Sequence, residues 1–435
     1  MKNAPFMTAE YPRAIAHIDA DAFFTSVEQA FTPSLGNRPV VTGKERGIIA
    51  CASYEAKAFG VKRGITLSDA RRLCPGLVVL PSDYETYSLC SKRIFNIIRR
   101  YTPRVEEYSI DEAFADLTGV RRLFRCSYEK IALKIQDEIK EELGLTVSVG
   151  LSITKSLAKI GSKFRKPSGF TAVPGRYIHI LLQKTPLEKV WGFGPSGTAL
   201  MGKMGLKTAY DFAARPQRWA ERYFKKPGKE IWQELRGISV WKVNEEEKTS
   251  YATIMKSKTF SPSSTDRSLV YAKLVRNTES AFMKARRYKL RARSLGVVLR
   301  RSDFRHDGLE AGLNRATSST VEILPLLRTL FSRVFAENTE YRATMIVLGG
   351  LEDDGSEQRE LFEDRLKIES YREITRAVDE INARYGKHTV RSAAGLYLEG
   401  APPDPRSDEP PRRKLKFGDE TGRKRIGIPR FEALP

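Results

Sequence analysis

Residues 14–19, AIAHID, form a short β-prone run that ends on a carboxylate. Residues 105–117, VEEYSIDEAFADL, alternate apolar and polar positions on both sides of Ser109-Ile110-Asp111-Glu112, which predicts two strands around a tight turn. Residues 127–143 place Ile131, Ile135 and Ile139 four apart and are followed by Gly144, the spacing and the stop of a helix. Residues 146–153, TVSVGLSI, read as a further strand. Strand, helix, strand-turn-strand, helix, strand is the order of a two-layer α/β sheet with mostly antiparallel pairing, which places the chain in the α+β class.

Between the first strand and the hairpin lies a small basic insert, about residues 31–77. The character changes after Lys166-Pro167. Residues 186–205 have a hydrophobic lead, a Gly192-Phe193-Gly194 turn and a small-residue stretch, the pattern of a helix-hairpin-helix unit. Residues 244–251 are polar and acidic, as in a linker. Residues 252–351 predict a second small α/β domain, with helices at about 267–288 and 321–336 and strands at about 256–260, 294–301 and 342–348. Residues 352–360 are acidic and turn-rich. Residues 366–385 carry Ile368, Tyr371, Ile374, Val378, Ile381 and Tyr385 on one helical face before Gly386, and 401–413, APPDPRSDEPPRR, read as disordered. No short-period repeat is present.

Charge narrows the picture. Over 435 residues the formal net charge is +22, a surplus that calls for a polyanionic partner, either nucleic acid or an anionic membrane surface. Residues 252–351 alone hold 18 Lys and Arg against 8 Asp and Glu. No apolar run approaches the roughly 18–20 residues of a membrane span, and the N-terminal residues do not follow the signal-peptide pattern. Cys51, Cys74, Cys90 and Cys126 lack metal-type spacing and read as reduced thiols of an intracellular protein. The four scattered histidines argue against a His-based metal centre.

Two acidic clusters carry the candidate chemistry: Asp19-Ala20-Asp21 at a strand end, and Asp111-Glu112 in the hairpin turn. In a palm-like sheet the end of the first strand lies beside the central hairpin, so the carboxylates can converge. Carboxylates and a backbone carbonyl are hard oxygen ligands suited to Mg²⁺. A pair of such ions can clamp the attacking and leaving oxygens of a phosphoryl transfer. Taken alone, a DxD or DE pair is more often a solvated turn. Here Tyr54, Lys57 and Lys166 add a phenol and two ammonium groups able to hold a triphosphate.

Five stretches in order, HIDADAFFTSVE (17–28), ACASYEAKAFGVKRG (50–64), YSIDEAFADLTG (108–119), SVGLSITKSLAKIGSKFRKPSG (148–169) and VWGFG (190–194), with a weaker one, MKSKTFSP (255–262), make the chain resemble the Y-family translesion DNA polymerases. The bacterial DinB type is the nearest branch, with a UmuC-like flavour at Lys57-Ala58-Phe59-Gly60. The resemblance covers about residues 11–351 and implies a right-hand polymerase. Its palm would be 11–30 and 78–166, its small fingers 31–77 and its helix-hairpin-helix thumb 167–243. A linker at 244–251, a little finger at 252–351 and a tail at 352–435 would follow.

The resemblance also implies roles. Asp19, Asp111 and Glu112 would be catalytic metal ligands for two Mg²⁺, with the Ala20 carbonyl on the second ion and Asp21 serving local structure. Phe24 would be the steric gate against a ribose 2′-hydroxyl, with Phe23 packed beside it. Tyr54, Lys57 and Lys166 would clamp the triphosphate. Two positions depart from the family: Lys57 stands where Arg is usual, losing the bidentate fork, and Cys51 where Thr or Ser is usual. Gly192 and Gly194 would offer backbone N–H groups to DNA phosphate, and the run Arg286, Arg287, Lys289, Arg291 and Arg293, followed by Arg300 and Arg301, would contact DNA. Gln358, Leu361 and Phe362 fit a QxxLF peptide for a bacterial sliding clamp. A cytoplasmic monomer acting on primer–template DNA and dNTPs is expected. A non-catalytic, clamp-tethered adaptor of the ImuB type is the alternative, disfavoured because all three carboxylates are present.

Overall fold

The computed structural model describes residues 6, 9–245, 251–355, 364–385 and 388–398. They fall into two compact units, 9–245 and 251–398. The expected clamp peptide 358–362, most of the linker and residues 401–413 lie outside the described residues.

The first unit opens with β1 (Ile15–Ala20) and α1 (Phe23–Phe31). Next come β2 (Val40–Thr42), β3 (Cys51–Ala52), α2 (Tyr54–Ala58), α3 (Leu67–Leu73) and β4 (Val78–Leu80). These build a small sheet in the order β3-β2-β4 around Val41, Ile49, Ala56 and Val61. Residues 78–80, expected to begin the second palm segment, belong here instead, because β4 pairs in parallel with β2.

The main sheet follows α4 (Tyr84–Arg99) and comprises β5 (Val105–Glu107) and β6 (Glu112–Asp116). After α5 (Arg121–Phe124) and α6 (Tyr128–Leu143) it continues with β7 (Val147–Ser152), α7 (Lys155–Phe164) and β8 (Phe170–Ala172). The order is β5-β6-β1-β7-β8, antiparallel except for β7 with β8. The predicted hairpin, strands and helix are all present.

Alternation assigns the faces. Ile15, His17 and Asp19 stand opposite Asp116, Phe114 and Glu112, so these six share one face of the sheet. Ala16, Ile18, Ala113 and Ala115 fill the other. His17 also faces Gly150 on β7. A Cβ at Gly150 would lie 2.0 Å from the Ala158 carbonyl oxygen and 2.3 Å from the Ser162 nitrogen. Glycine therefore lets α7 rest directly on the strand. Gly150→Ala is expected to cost about 3 kcal/mol, the upper part of the overpacking range, read as a lower denaturant midpoint. An unchanged midpoint would show that α7 does not depend on this approach.

The rest of the first unit is helical: α8 (Ile178–Gln183), α9 (Pro195–Lys203), α10 (Ala209–Ala213) and α11 (Gln217–Leu235), the last broken at Lys225. Leu181, Leu206, Phe212 and Ile231 join their core to Ile153 and Leu157.

The second unit contains β9 (Ile254–Ser264), α12 (Arg267–Arg287), β10 (Leu290–Arg301), β11 (His306–Thr317), α13 (Thr320–Val334), β12 (Tyr341–Gly349), β13 (Glu352–Asp353) and α14 (Arg365–Tyr385). The sheet runs β11-β10-β12-β9, over a core including Phe282, Leu295, Phe331 and Ile346. Residues 364–385 and 388–398, expected in a tail, pack within this unit. Arg286 makes a two-armed ion pair with Asp379 at 2.6 and 2.8 Å, and Tyr397 donates to Asp266 at 2.6 Å. The α14 face is also turned from the expected one. Thr375 and Asn382 are buried, whereas Ile374, Ile381 and Tyr385 are exposed. Polar contacts set that rotation: Thr375 meets Ser319, and Asn382 bonds Val390.

Candidate active site

Asp19 and Glu112 are direct cross-strand partners at the open end of β1 and β6. Asp111 is tied to the same point, because the Ala20 N–H donates to its carbonyl at 2.8 Å. Ser109 donates to Asp111 Oδ1 at 2.5 Å. The three predicted carboxylates therefore converge.

The Glu112 carboxylate receives Lys159 and, at 3.1 Å, His17 Nε2. Burial alone would raise its pKa, but these partners outweigh it and hold the group down at about 2. Burial pushes His17 down to about 4, so the ring is neutral near pH 7. The hydrogen on Nε2 then serves Glu112 and leaves Nδ1 to accept from Ser162, 2.7 Å away. Burial raises the Asp19 carboxyl against the pull of Lys166, whose ammonium lies 2.5 Å from Asp19 and 3.6 Å from Asp21.

Asp21 is 1% exposed. It accepts from Ser148 at 2.8 Å, the Ser168 N–H at 2.7 Å and Tyr54 at 3.4 Å. Those bonds join β1 to β7, to the segment before β8 and to α2, a structural role.

Ala22, at φ 45°, turns the chain from β1 into α1 in the left-handed region, strained for a residue with a side chain. The turn buries Phe23 and leaves Phe24 half-buried. Phe24 stacks on Tyr87, with ring centroids 4.4 Å apart and planes 12° apart, and meets Tyr84 edge-on at 5.4 Å. Tyr87 is fixed in turn by a 2.5 Å bond to Glu28. Tyr54 begins α2, capped by Ser53, and the Lys57 ammonium sits 4.1 Å from its ring centroid. Cys51 lies 3.7 Å from the Thr25 hydroxyl.

Among the described residues no three His, Cys, Asp or Glu side chains already form a metal cage. The donor set nevertheless fits a divalent ion. Its oxygens are hard, Glu112 is ionised, and the positive charge balancing Asp19 comes from a lysine side chain that is 25% exposed and so able to move.

Gly192 has φ 99°, and Gly194 caps the N-terminus of α9 with open space around it. In the second unit the basic run is largely engaged internally. Besides the Arg286 pair, Arg291 meets Asp354 and Arg293 meets Glu352. The carboxylates that neutralise them lie on β13, just after it, and on α14, all regions read from sequence as tail. Arg287 is exposed and stands in a cationic group with Lys256 and Lys284; burial and these neighbours lower the Lys256 pKa.

Sequence reasoning did not single out His17, Lys159 or Glu106. A signal existed for the lysines: 155, 159 and 163 recur at helical spacing behind a strand.

The comparisons fit this geometry. Residues 18–163 match the family model described as the impB/mucB/samB family, and 252–361 match its C-terminal domain. DNA polymerase IV of Desulfatibacillum aliphaticivorans is 32% identical over 383 residues, 87% of this chain and 96% of that protein. DNA polymerase IV of Moorella thermoacetica is 33% identical, covering 87% and 95%. A solved Y-family DNA polymerase chimera, Dbh-Dpo4(243-245)-Dbh, superposes with a TM-score of 0.68 at 21% identity, over 78% of this chain and 99% of that one. That likeness defines the fold as the palm, fingers, thumb and little-finger architecture of Y-family polymerases. The chain belongs to the impB/mucB/samB family, in its DinB-type, DNA polymerase IV branch, and is a DNA-directed DNA polymerase of the translesion, DNA-repair class. No helix among the described residues is long and apolar enough to cross a membrane.

Proposed function

We propose that the chain extends a primer on a DNA template with low fidelity, the primer 3′-hydroxyl attacking the α-phosphate of a dNTP as pyrophosphate leaves. The convergence of Asp19, Asp111 and Glu112 at one end of β1 and β6 carries the reading. These carboxylates and the Ala20 carbonyl would hold two Mg²⁺, which supply charge stabilisation to the in-line displacement. His17 and Lys159 keep Glu112 ionised and aimed. Tyr54, Lys57 and Lys166 take the triphosphate, the Lys166 ammonium moving between Asp19 and phosphate oxygens. Phe24, backed by Tyr87, lies under the sugar and excludes a 2′-hydroxyl.

In this reading the palm is 11–30 and 81–166, the fingers 31–80, the thumb 167–243 and the little finger 252–351. Residues 364–385 and 388–398 extend the little finger. DNA phosphates meet Gly192 and Gly194 at the start of α9, and Arg287 with its cationic neighbours. Arg286, Arg291 and Arg293 serve first to hold the acidic segments that follow. Primer extension with Mg²⁺ and dNTPs tests the reading: templated addition supports it, whereas DNA binding without addition would favour the adaptor.

A bacterial sliding clamp is the proposed recruiting partner through Gln358, Leu361 and Phe362. Leu361→Ala with Phe362→Ala is expected to abolish clamp-stimulated extension length while leaving single-nucleotide insertion unaltered. Equal stimulation of both proteins would remove the clamp from this account.

A further inference from the structure

The α7 helix carries a row of lysines, Lys155, Lys159 and Lys163, four residues apart and so on one face, with Lys166 just beyond its end. Gly150 lets that helix lie on the sheet, bringing the row over the ends of β1 and β6. Three of the four have carboxylate partners. Lys155 is buried and grips both Glu106 oxygens at 2.6 and 2.8 Å. Lys159 is buried on Glu112, and Lys166 stands on Asp19.

Lys163 differs. It is exposed, and among the described residues no carboxylate lies within ion-pair distance of it. Its charged surroundings are the cations Lys159 and Lys166 and the carboxylates Glu112 and Asp19. Although the side chain reaches solvent, the protein crowded around it and the Lys159 charge push its ammonium below the ordinary lysine value. Both nearby carboxylates are already ion-paired, Glu112 with Lys159 and Asp19 with Lys166, so Lys163 is left without an anion of its own until one arrives. Every substrate of the proposed reaction brings phosphate oxygens to this place.

We infer that Lys163 is a further substrate-binding residue, contacting a non-bridging phosphate oxygen beside the carboxylate centre. The assignment rests on the proposed active site. Two sources carry that chemistry: the primer's terminal phosphodiester and the triphosphate. Tyr54, Lys57 and Lys166 already serve the triphosphate in the reading above. Lys163 follows Lys159, the partner of Glu112, along the helix, and the primer phosphate is its assigned ligand.

The test uses the full chain as wild type, Lys163→Ala, Lys163→Arg and Asp111→Ala, in single-turnover extension. Three quantities are read: the primer–template Kd, the apparent Kd for dNTP, and the primer–template Kd for a primer whose terminal phosphate is a neutral methylphosphonate. Lys163→Ala is expected to weaken primer–template binding about 10-fold, the scale of one lost hydrogen bond to a charged group, with Lys163→Arg near wild type. On the methylphosphonate primer the wild type and Lys163→Ala should bind alike. A merely structural lysine would not show that convergence. Weakening confined to dNTP would keep the phosphate contact and move it to the triphosphate. If Lys163→Ala matches the wild type in every arm while Asp111→Ala is inactive, the inference is overturned and the active site stands. If Asp111→Ala also extends normally, the site reading fails and takes the Lys163 assignment with it.

Discussion

Asp111→Ala is expected to lower single-turnover nucleotide addition by about 10³-fold, the upper end for removing one group that stabilises developing charge, while a gel-shift titration with primer–template changes little. The separation follows from position. Among the described residues the Asp111 carboxylate accepts from Ser109 and forms no ion pair with a lysine or arginine. Its removal therefore strands no buried cation, and the phosphate contacts proposed for DNA lie on other elements. Glu112→Ala should be equally inactive but less clean. Lys159 and His17 are buried against that carboxylate, and breaking a buried pair by removing one partner costs about 3–5 kcal/mol. Glu112→Gln preserves the shape and separates the two effects. It should retain most of the stability and still lose addition. Near-normal extension by both Asp111→Ala and Glu112→Gln would refute the metal assignment.

How much of this was legible in the sequence depended on whether the determinant was local. The β1 run, the hairpin at 105–117 and α6 follow from alternation, four-residue spacing and a terminal glycine, all short-range signals. The carboxylate cluster was readable because a palm-like sheet brings the end of β1 beside the hairpin, and the structure pairs β1 with β6. By contrast, β11 reads HDGLEAGLNRAT, with few β-branched residues. It becomes a strand because it pairs along β10, a tertiary effect that propensity does not carry. The acidic residues at 352–354 have the composition of a linker. Yet β13 adds to β10 at Leu290 and Arg291, and its carboxylates neutralise the arginines that looked free. Charge runs are visible in a sequence; their partners, 59 to 93 residues away here, are not. The same holds for Lys159, which meets Glu112 across 47 residues.

The other large effect concerns the sugar. Phe24→Ala is expected to raise the efficiency of rNTP use relative to dNTP by about 10–100-fold, while dNTP addition survives. The magnitude is that of relieving a steric clash of about 1–3 kcal/mol in a packed site. The structure gives Phe24 the stiffness that the proposed gate requires. Phe24 cannot retreat because Tyr87 lies flat against it, and Tyr87 is fully buried and bonded to Glu28. A rigid ring rejects an added hydroxyl, whereas a mobile one would yield to it. Truncation also removes an aromatic pair worth about 0.5–1.5 kcal/mol, so the thermal midpoint of Phe24→Ala should fall modestly and must be measured beside the kinetics. Phe24→Leu is the informative second variant: it keeps apolar contact with Tyr87 but not the breadth of the ring, and its rNTP/dNTP ratio should fall between those of the wild type and Phe24→Ala. The measurement is kcat/KM for the matched pair dCTP and CTP opposite a templating guanine. An unchanged ratio in both variants would make Phe24 a packing residue and place sugar discrimination elsewhere in the first unit.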